Sequence, residues 1–133
     1  MTSLEMRCPC NSGDRFRHCC ARYVVQGKDA PTAEALMRSR FSAFATGNSG
    51  HLLRTWHPGT RPASLELDPG QQWYLLEILA THDGGAFATS GTVTFRAHWR
   101  SAATRKGKES FTETSSFARE GRQWFYVDAL ELQ

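Results

Sequence analysis

Between Ala33 and Phe44 the apolar residues recur at three- and four-residue steps. Ala33, Leu36, Met37, Phe41 and Phe44 share one helical face, with Arg40 among them. Thr32 suits the N-cap, Glu34 the first turn, and Gly47 the stop. A shorter helix is expected from Ser49 to Trp56, with Leu52, Leu53 and Trp56 on one side and Pro58 ending it. Pro58, Gly59, Pro62, Pro69 and Gly70 make residues 58–70 a loop. Beyond it the period falls to two. Val93, Phe95, Ala97 and Trp99 alternate along one predicted strand, Phe111, Glu113, Ser115 and Phe117 along the next, and Trp124, Tyr126 and Asp128 along the last. Trp73 to Thr81 is apolar on both faces, which predicts a strand covered by helices. Turns are expected at Asp83-Gly84-Gly85, from Ala103 to Lys108, and at Glu120-Gly121. Helices followed by a meander of long strands predict an α+β fold, with the helices packed on one side of a curved antiparallel sheet.

Composition adds limits. At 133 residues with 40% hydrophobic residues, the chain can build one compact core. No apolar run approaches the roughly 20 residues of a membrane span. Met1 to Arg7 carries Glu5 and no hydrophobic signal segment, so a cytoplasmic protein with no membrane association is expected.

The net charge of +3 is mild. In the first thirty residues Arg7, Arg15, Arg17, Arg22 and Lys28 face Glu5, Asp14 and Asp29. That excess is too small for a phosphate-binding stripe, so nucleic acid is not the expected partner. Its first role would be to stabilise an anionic centre nearby. Arg15, Arg17 and Arg22 are also candidates for contact with a protein partner and, together with Arg7 as a weaker alternative, with nucleic acid or the ribosome.

The chemistry that those cations would serve is clear. All four cysteines, Cys8, Cys10, Cys19 and Cys20, lie within thirteen residues, in Cys8-Pro9-Cys10-Asn11-Ser12-Gly13-Asp14-Arg15-Phe16-Arg17-His18-Cys19-Cys20. A disulfide framework would spread its cysteines to tie distant segments, whereas a cluster points to metal. Zinc takes four soft ligands in a tetrahedron. A turn at Asn11-Ser12-Gly13 and a helical turn through Phe16 would bring the two pairs together, with Phe16 packed over the site. Two disulfides, a redox thiol pair, or His18 replacing one cysteine are the competing readings. Vicinal Cys19 and Cys20 bond to each other only with strain, and a redox pair normally has two intervening residues. Zinc held by four sulfurs is the favoured expectation.

The C-x-C-x-S-G segment with its closing Cys19-Cys20 resembles the SEC-C motif, the zinc-binding element at the C-terminus of the SecA translocation ATPase. Cys20 stands where SecA-type copies often carry His. In SecA the motif contacts the chaperone SecB and ribosomes, so the resemblance implies a protein partner. Further along, Pro31 to Phe44, Thr55-Trp56-His57-Pro58, Glu113 to Phe117 and Trp124 to Asp128 resemble the bacterial YchJ family. Those proteins join an N-terminal SEC-C motif to a cystatin-like cone of the nuclear-transport-factor-2 type. The resemblance implies a zinc knuckle over residues 1–24 and a cystatin-like domain over 25–133. Some members carry a second SEC-C motif at the C-terminus; these 133 residues hold one, so a role needing two is not expected.

Cones of this type often leave a pocket at the open end, used by enzymes and by binding proteins alike. Glu113 lies between apolar neighbours on its strand, and Arg40 among apolar residues on its helix. A buried carboxylate needs a partner, and a structural Glu113–Arg40 ion pair is the expected account. The enzymatic alternative, an isomerase or hydrolase, makes Glu113 a general base acting with His57 or Asp128. His57 is expected chiefly to complement a helix C-terminus. The expected role is a zinc-binding adaptor, with a pocket for a small ligand.

Overall fold

The computed structural model describes residues 3–102 and 107–132, without the side chains of 131 and 132; most of the expected turn over Ala103 to Lys108 lies outside them. Three helices precede four strands: α1 (Ala21–Val24), α2 (Ala33–Thr46), α3 (Ser49–Arg54), β1 (Gln71–Asp83), β2 (Ser90–Ser101), β3 (Lys108–Glu120) and β4 (Gln123–Leu132). A single 3-10 turn over Phe16–His18 comes before them. The strands form one antiparallel meander in the order β1-β2-β3-β4.

The caps of α2 follow the sequence. The Thr32 hydroxyl accepts from the Ala35 amide at 3.0 Å, and Gly47 closes the helix in the left-handed conformation. Burial, however, is not confined to one stripe. Leu36, Met37 and Phe41 are buried with Arg40 among them, and so are Ser39 and Ser42 outside that face. Alpha2 runs between the sheet on one side and the N-terminal knuckle and α3 on the other. Its polar residues are buried because they bond to those neighbours. The expected second helix stops two residues early, at Arg54. Thr55 and Trp56 leave it to meet β4: the Tyr126 amide donates to the Thr55 carbonyl, and the His57 amide donates to the Tyr126 carbonyl, each at 2.8 Å.

Two expectations fail on strand irregularities. Beta1 is an edge strand, covered on one face only. Its register shifts once between Trp73 and Leu75 and again between Ile78 and Ala80. Each shift inserts a residue, Tyr74 or Leu79, into the alternation, and Leu79 is left exposed. The run therefore looks apolar on both faces without being buried on both. On β4 the register shifts between Ser116 and Phe117: Phe117 pairs with Tyr126, but Ser116 pairs with Asp128. Val127 is the extra residue, so Asp128 does not share the inward face of Tyr126 and is exposed.

The β1–β2 turn is tied to the start of α2. The Ala33 amide donates to the Gly84 carbonyl at 3.0 Å. Gly84 has φ +75°, and a Cβ on it would meet the Ala33 methyl at 2.8 Å; a Cβ on Gly91 would lie 2.5 Å from the Gly84 backbone. Both positions require glycine for close approach. No helix of the described residues is long and apolar enough to cross a membrane.

Candidate metal centre and cone cavity

The N-terminal segment forms a small loop closed by backbone bonds. Arg7 and Arg15 pair as an antiparallel bridge. The Cys8 amide donates to the Asp14 carbonyl at 2.9 Å and the Phe16 amide to the Met6 carbonyl at 2.8 Å. Asn11 and Gly13 take positive φ at the turn between them. The 3-10 turn and α1 then return Cys19 and Cys20 beneath it.

The four cysteines are free and buried, and their sulfurs all lie within 4.8 Å of one another. Sulfurs 2.3 Å from a tetrahedral metal are separated by about 3.8 Å. Cys10 Sγ and Cys19 Sγ lie 3.6 Å apart. The donor set therefore fits a metal ion, and Cys8, Cys10, Cys19 and Cys20 are the residues that could hold it. His18 is exposed and stands outside the cluster. Phe16 is fully buried beside the cysteines.

Electrostatics make the cluster a poor resting place for free thiols. The thiols of Cys10 and Cys20, and the Ser42 hydroxyl, hold Cys8 well below the usual thiol range against the cost of burial. Cys20 is pushed far up by Cys10, by Cys8 and by burial. Cys10 is lowered by Cys20, but Cys8 and burial outweigh that and push it up to about 11. A cation held among the four sulfurs would let them ionise together.

Several supporting contacts are not evident from the spacing of the cysteines. Arg38 of α2 donates to the Cys10 carbonyl at 2.9 Å, lies 4.0 Å from its sulfur, and pairs with Glu34 at 3.0 Å. Burial works against the charge of Arg38, but its bonds to Glu34 and Cys10 prevail. The Ser42 hydroxyl is 3.5 Å from Cys8 Sγ and that of Ser12 3.2 Å from Cys19 Sγ. Asn11 Nδ2 donates to the Leu76 carbonyl of β1 at 3.3 Å. The one signal for Arg38 was its i,i+4 pairing with Glu34, which said nothing about metal.

The basic candidates are largely engaged within the molecule. Arg15 and Arg17 both bind Glu5, at 2.8 and 2.6 Å, and together hold its carboxyl below the ordinary range, Arg17 foremost. Arg22 donates to the Cys19 carbonyl at 2.9 Å and lies over the Tyr23 ring.

In the cone, Glu113 and Arg40 do not pair. Arg40 Nη1 donates to the Leu52 carbonyl and to Thr55 Oγ1, each at 2.8 Å, and its guanidinium lies against the rings of Tyr126 and Trp56. Aromatic faces and α3 oxygens thus replace the carboxylate, although burial still lowers Arg40 to about 10. Glu113 takes a hydrogen bond from Ser115 Oγ at 2.6 Å instead. Both residues line a cavity of about 210 Å³, with Phe41, Trp73, Phe111 and Tyr126 among its walls. His57 and Asp128 do not line it. His57 Nδ1 accepts from the Gly59 amide at 3.0 Å, and its Nε2 pairs with Glu120. Helix α3 ends before it, so it clamps a turn and complements no helix terminus. Asp128 caps the Ala129 amide at 2.8 Å. Glu113 thus meets neither His57 nor Asp128, the partners that the enzymatic alternative assigned to it.

Comparison with known proteins agrees with this architecture. Residues 32–129 match the family model described as YchJ, middle NTF2-like domain, and residues 7–22 match the SEC-C motif. The chain belongs to the YchJ-like family. Its relatives there include UPF0225 proteins of Streptomyces coelicolor and Corynebacterium efficiens. The first is 52% identical over 91% of this chain and 92% of its own length; the second is 47% identical over 92% and 91%. Two solved proteins that contain the SEC-C motif share this fold. A SEC-C motif containing protein from Rhodopseudomonas palustris, solved in solution, superposes with a TM-score of 0.80 at 26% identity over 96% of this chain and all of that one. A second, from Psychrobacter arcticus, gives 0.75 at 23% identity over 94% and 82%, and supports the fold alone.

Proposed function

We propose that this protein is a cytoplasmic binding protein of adaptor type. A structural zinc fixes its N-terminal knuckle for a protein partner, and its cone receives a small ligand. The observation that carries the reading is the closed set of four buried cysteine sulfurs. Four sulfurs complete a tetrahedral shell and leave no position for a catalytic water or a substrate. Such a zinc orders a surface and performs no chemistry. The knuckle, about residues 1–24, is the recognition element, and residues 25–133 are the ligand-binding body. Reduced thiols and a thiolate metal site suit the cytoplasm.

Other readings have less support. Arg15 and Arg17 share one carboxylate, and a net charge of +3 is too small an excess for a phosphate-binding stripe. A hydrolase or isomerase built on Glu113 would lack both partners assigned to it.

Metal analysis of the purified chain should find one zinc per molecule, lost on Cys8→Ser or Cys19→Ser. An affinity pull-down with and without chelator then tests the role. A partner retained only on the zinc-loaded chain supports it; equal retention on the stripped chain, or a metal-free protein with oxidised thiols, rejects it.

A further inference from the structure

We propose that the cone cavity selects small organic cations: a protonated amine carried on an aromatic or branched apolar body. This rests on the reading that the cone binds a small ligand, and it names the ligand's class.

The cavity of about 210 Å³ equals roughly seven water molecules in volume. That accommodates one ring or a short branched chain with a single head group. Its walls are mainly aromatic. Trp73 makes edge-on or tilted contacts with Phe41, Phe44 and Phe111, with centroids 5.8 to 6.2 Å apart, and Phe95 meets Phe111 at 6.1 Å. Aromatic faces attract cations, and do so more strongly when water is excluded. The molecule already uses this device, since the Arg40 guanidinium rests 4.5 Å from the Tyr126 centroid.

Glu113 supplies the counter-charge. Ser115, itself fully buried, donates to Glu113 Oε2 and fixes the carboxylate. Among the described residues no hydrogen bond or ion pair reaches its other oxygen. A carboxylate only accepts, so the ligand's head group must donate. Arg40 makes its contacts with Leu52, Thr55 and the two rings and forms no ion pair with Glu113, which leaves that carboxylate without a cation among the described residues.

The approach has the same sign. A larger open groove, about 890 Å³, shares Phe44 and Trp73 with the cavity and runs along residues 65–69. Among the described residues its lining carries Glu66 and Asp68 and no lysine or arginine. Two carboxylates beside the cavity favour the arrival of cations.

The test titrates the zinc-loaded full chain with three probes on one phenylalkyl body: phenethylammonium, 2-phenylethanol and 3-phenylpropionate. Tryptophan fluorescence reports binding, and amide shifts at Ala97 and Ser115 separate the cavity from the groove. Phenethylammonium should bind about tenfold tighter than the alcohol. Glu113→Gln should bring the two within about twofold, chiefly by weakening the amine, and an amide spectrum of the ligand-free variant that matches the parent away from residue 113 shows that it is folded. Equal binding of amine and alcohol, or preference for the propionate, overturns the cation assignment and leaves the ligand-binding cone standing. If none of the three shifts Ala97 or Ser115 at millimolar concentration, the ligand-binding reading itself fails.

Discussion

His51 and Arg38 are polar residues held in place by the fold, and neither announces itself in the sequence. His51 is buried on α3. Its Nδ1 faces Arg54 Nη2 at 2.8 Å and its Nε2 faces Ser39 Oγ at 2.9 Å, while Ser39 donates onward to the Leu36 carbonyl. Since Arg54 can only donate, Nδ1 accepts and Nε2 carries the proton. Burial, then the charges of Arg54 and Arg40, push His51 down to about 3. The unfolded chain binds that proton near pH 6.5, so stability falls as pH drops from about 6.5 towards 3. Each pH unit inside that window costs up to about 1.4 kcal/mol. Denaturant unfolding should show this slope reduced in His51→Asn relative to the parent; equal slopes would remove His51 from the account. Arg38 is a positioning residue for the metal loop through the Cys10 carbonyl. Arg38→Ala should weaken zinc retention against a competing chelator about tenfold or more, with Arg38→Lys restoring part of it.

Helix α2 joins the two parts of the chain, and its sequence was only half legible. Its caps and its apolar face follow local rules, so Thr32, Gly47, Leu36, Met37 and Phe41 could be placed from the sequence. Thr32→Ala should cost about 1 kcal/mol of unfolding free energy, measurable by urea titration. The buried polar side of the helix could not be read in this way. Ser39 and Ser42 are buried because two partners, His51 of the next helix and Cys8 of the knuckle, bond to them. Pairing Arg40 with Glu113 was the economical guess, but aromatic faces and backbone oxygens took the carboxylate's place. The strands repeat the lesson. Where alternation was unbroken, on β2 and β3, the inward faces were evident. Inserted residues at Tyr74, Leu79 and Val127 leave no mark in a two-residue pattern, and the last of them removed Asp128 from the cavity. The four metal-site cysteines were the most legible feature, since their spacing is local.

At the scale of the molecule, the cysteine knuckle is built into the common core. Cys8, Cys10, Cys19, Cys20 and Phe16 belong to the same buried cluster as Leu36, Phe41, Val93 and Trp124. Arg38 and Ser42 face the knuckle, and Met37, Arg40, Phe41 and Phe44 of the same helix line the cone cavity. Chelation should therefore lower the melting temperature of the whole chain in one transition, with the fluorescence of Trp73 and Trp124 changing together. Two separated transitions would show instead that the knuckle melts alone.

Both margins of the sheet are obstructed. Two inserted residues twist β1 out of a regular ladder, and the backbone of Thr55 to His57 occupies β4 alongside Tyr126. An unguarded margin is a template on which a second chain can add a strand, and repeated addition leads to fibres. This molecule offers no long flat margin of that kind among its described residues. Any association with its own copies would have to use side-chain surfaces, such as the tip around the exposed Phe87.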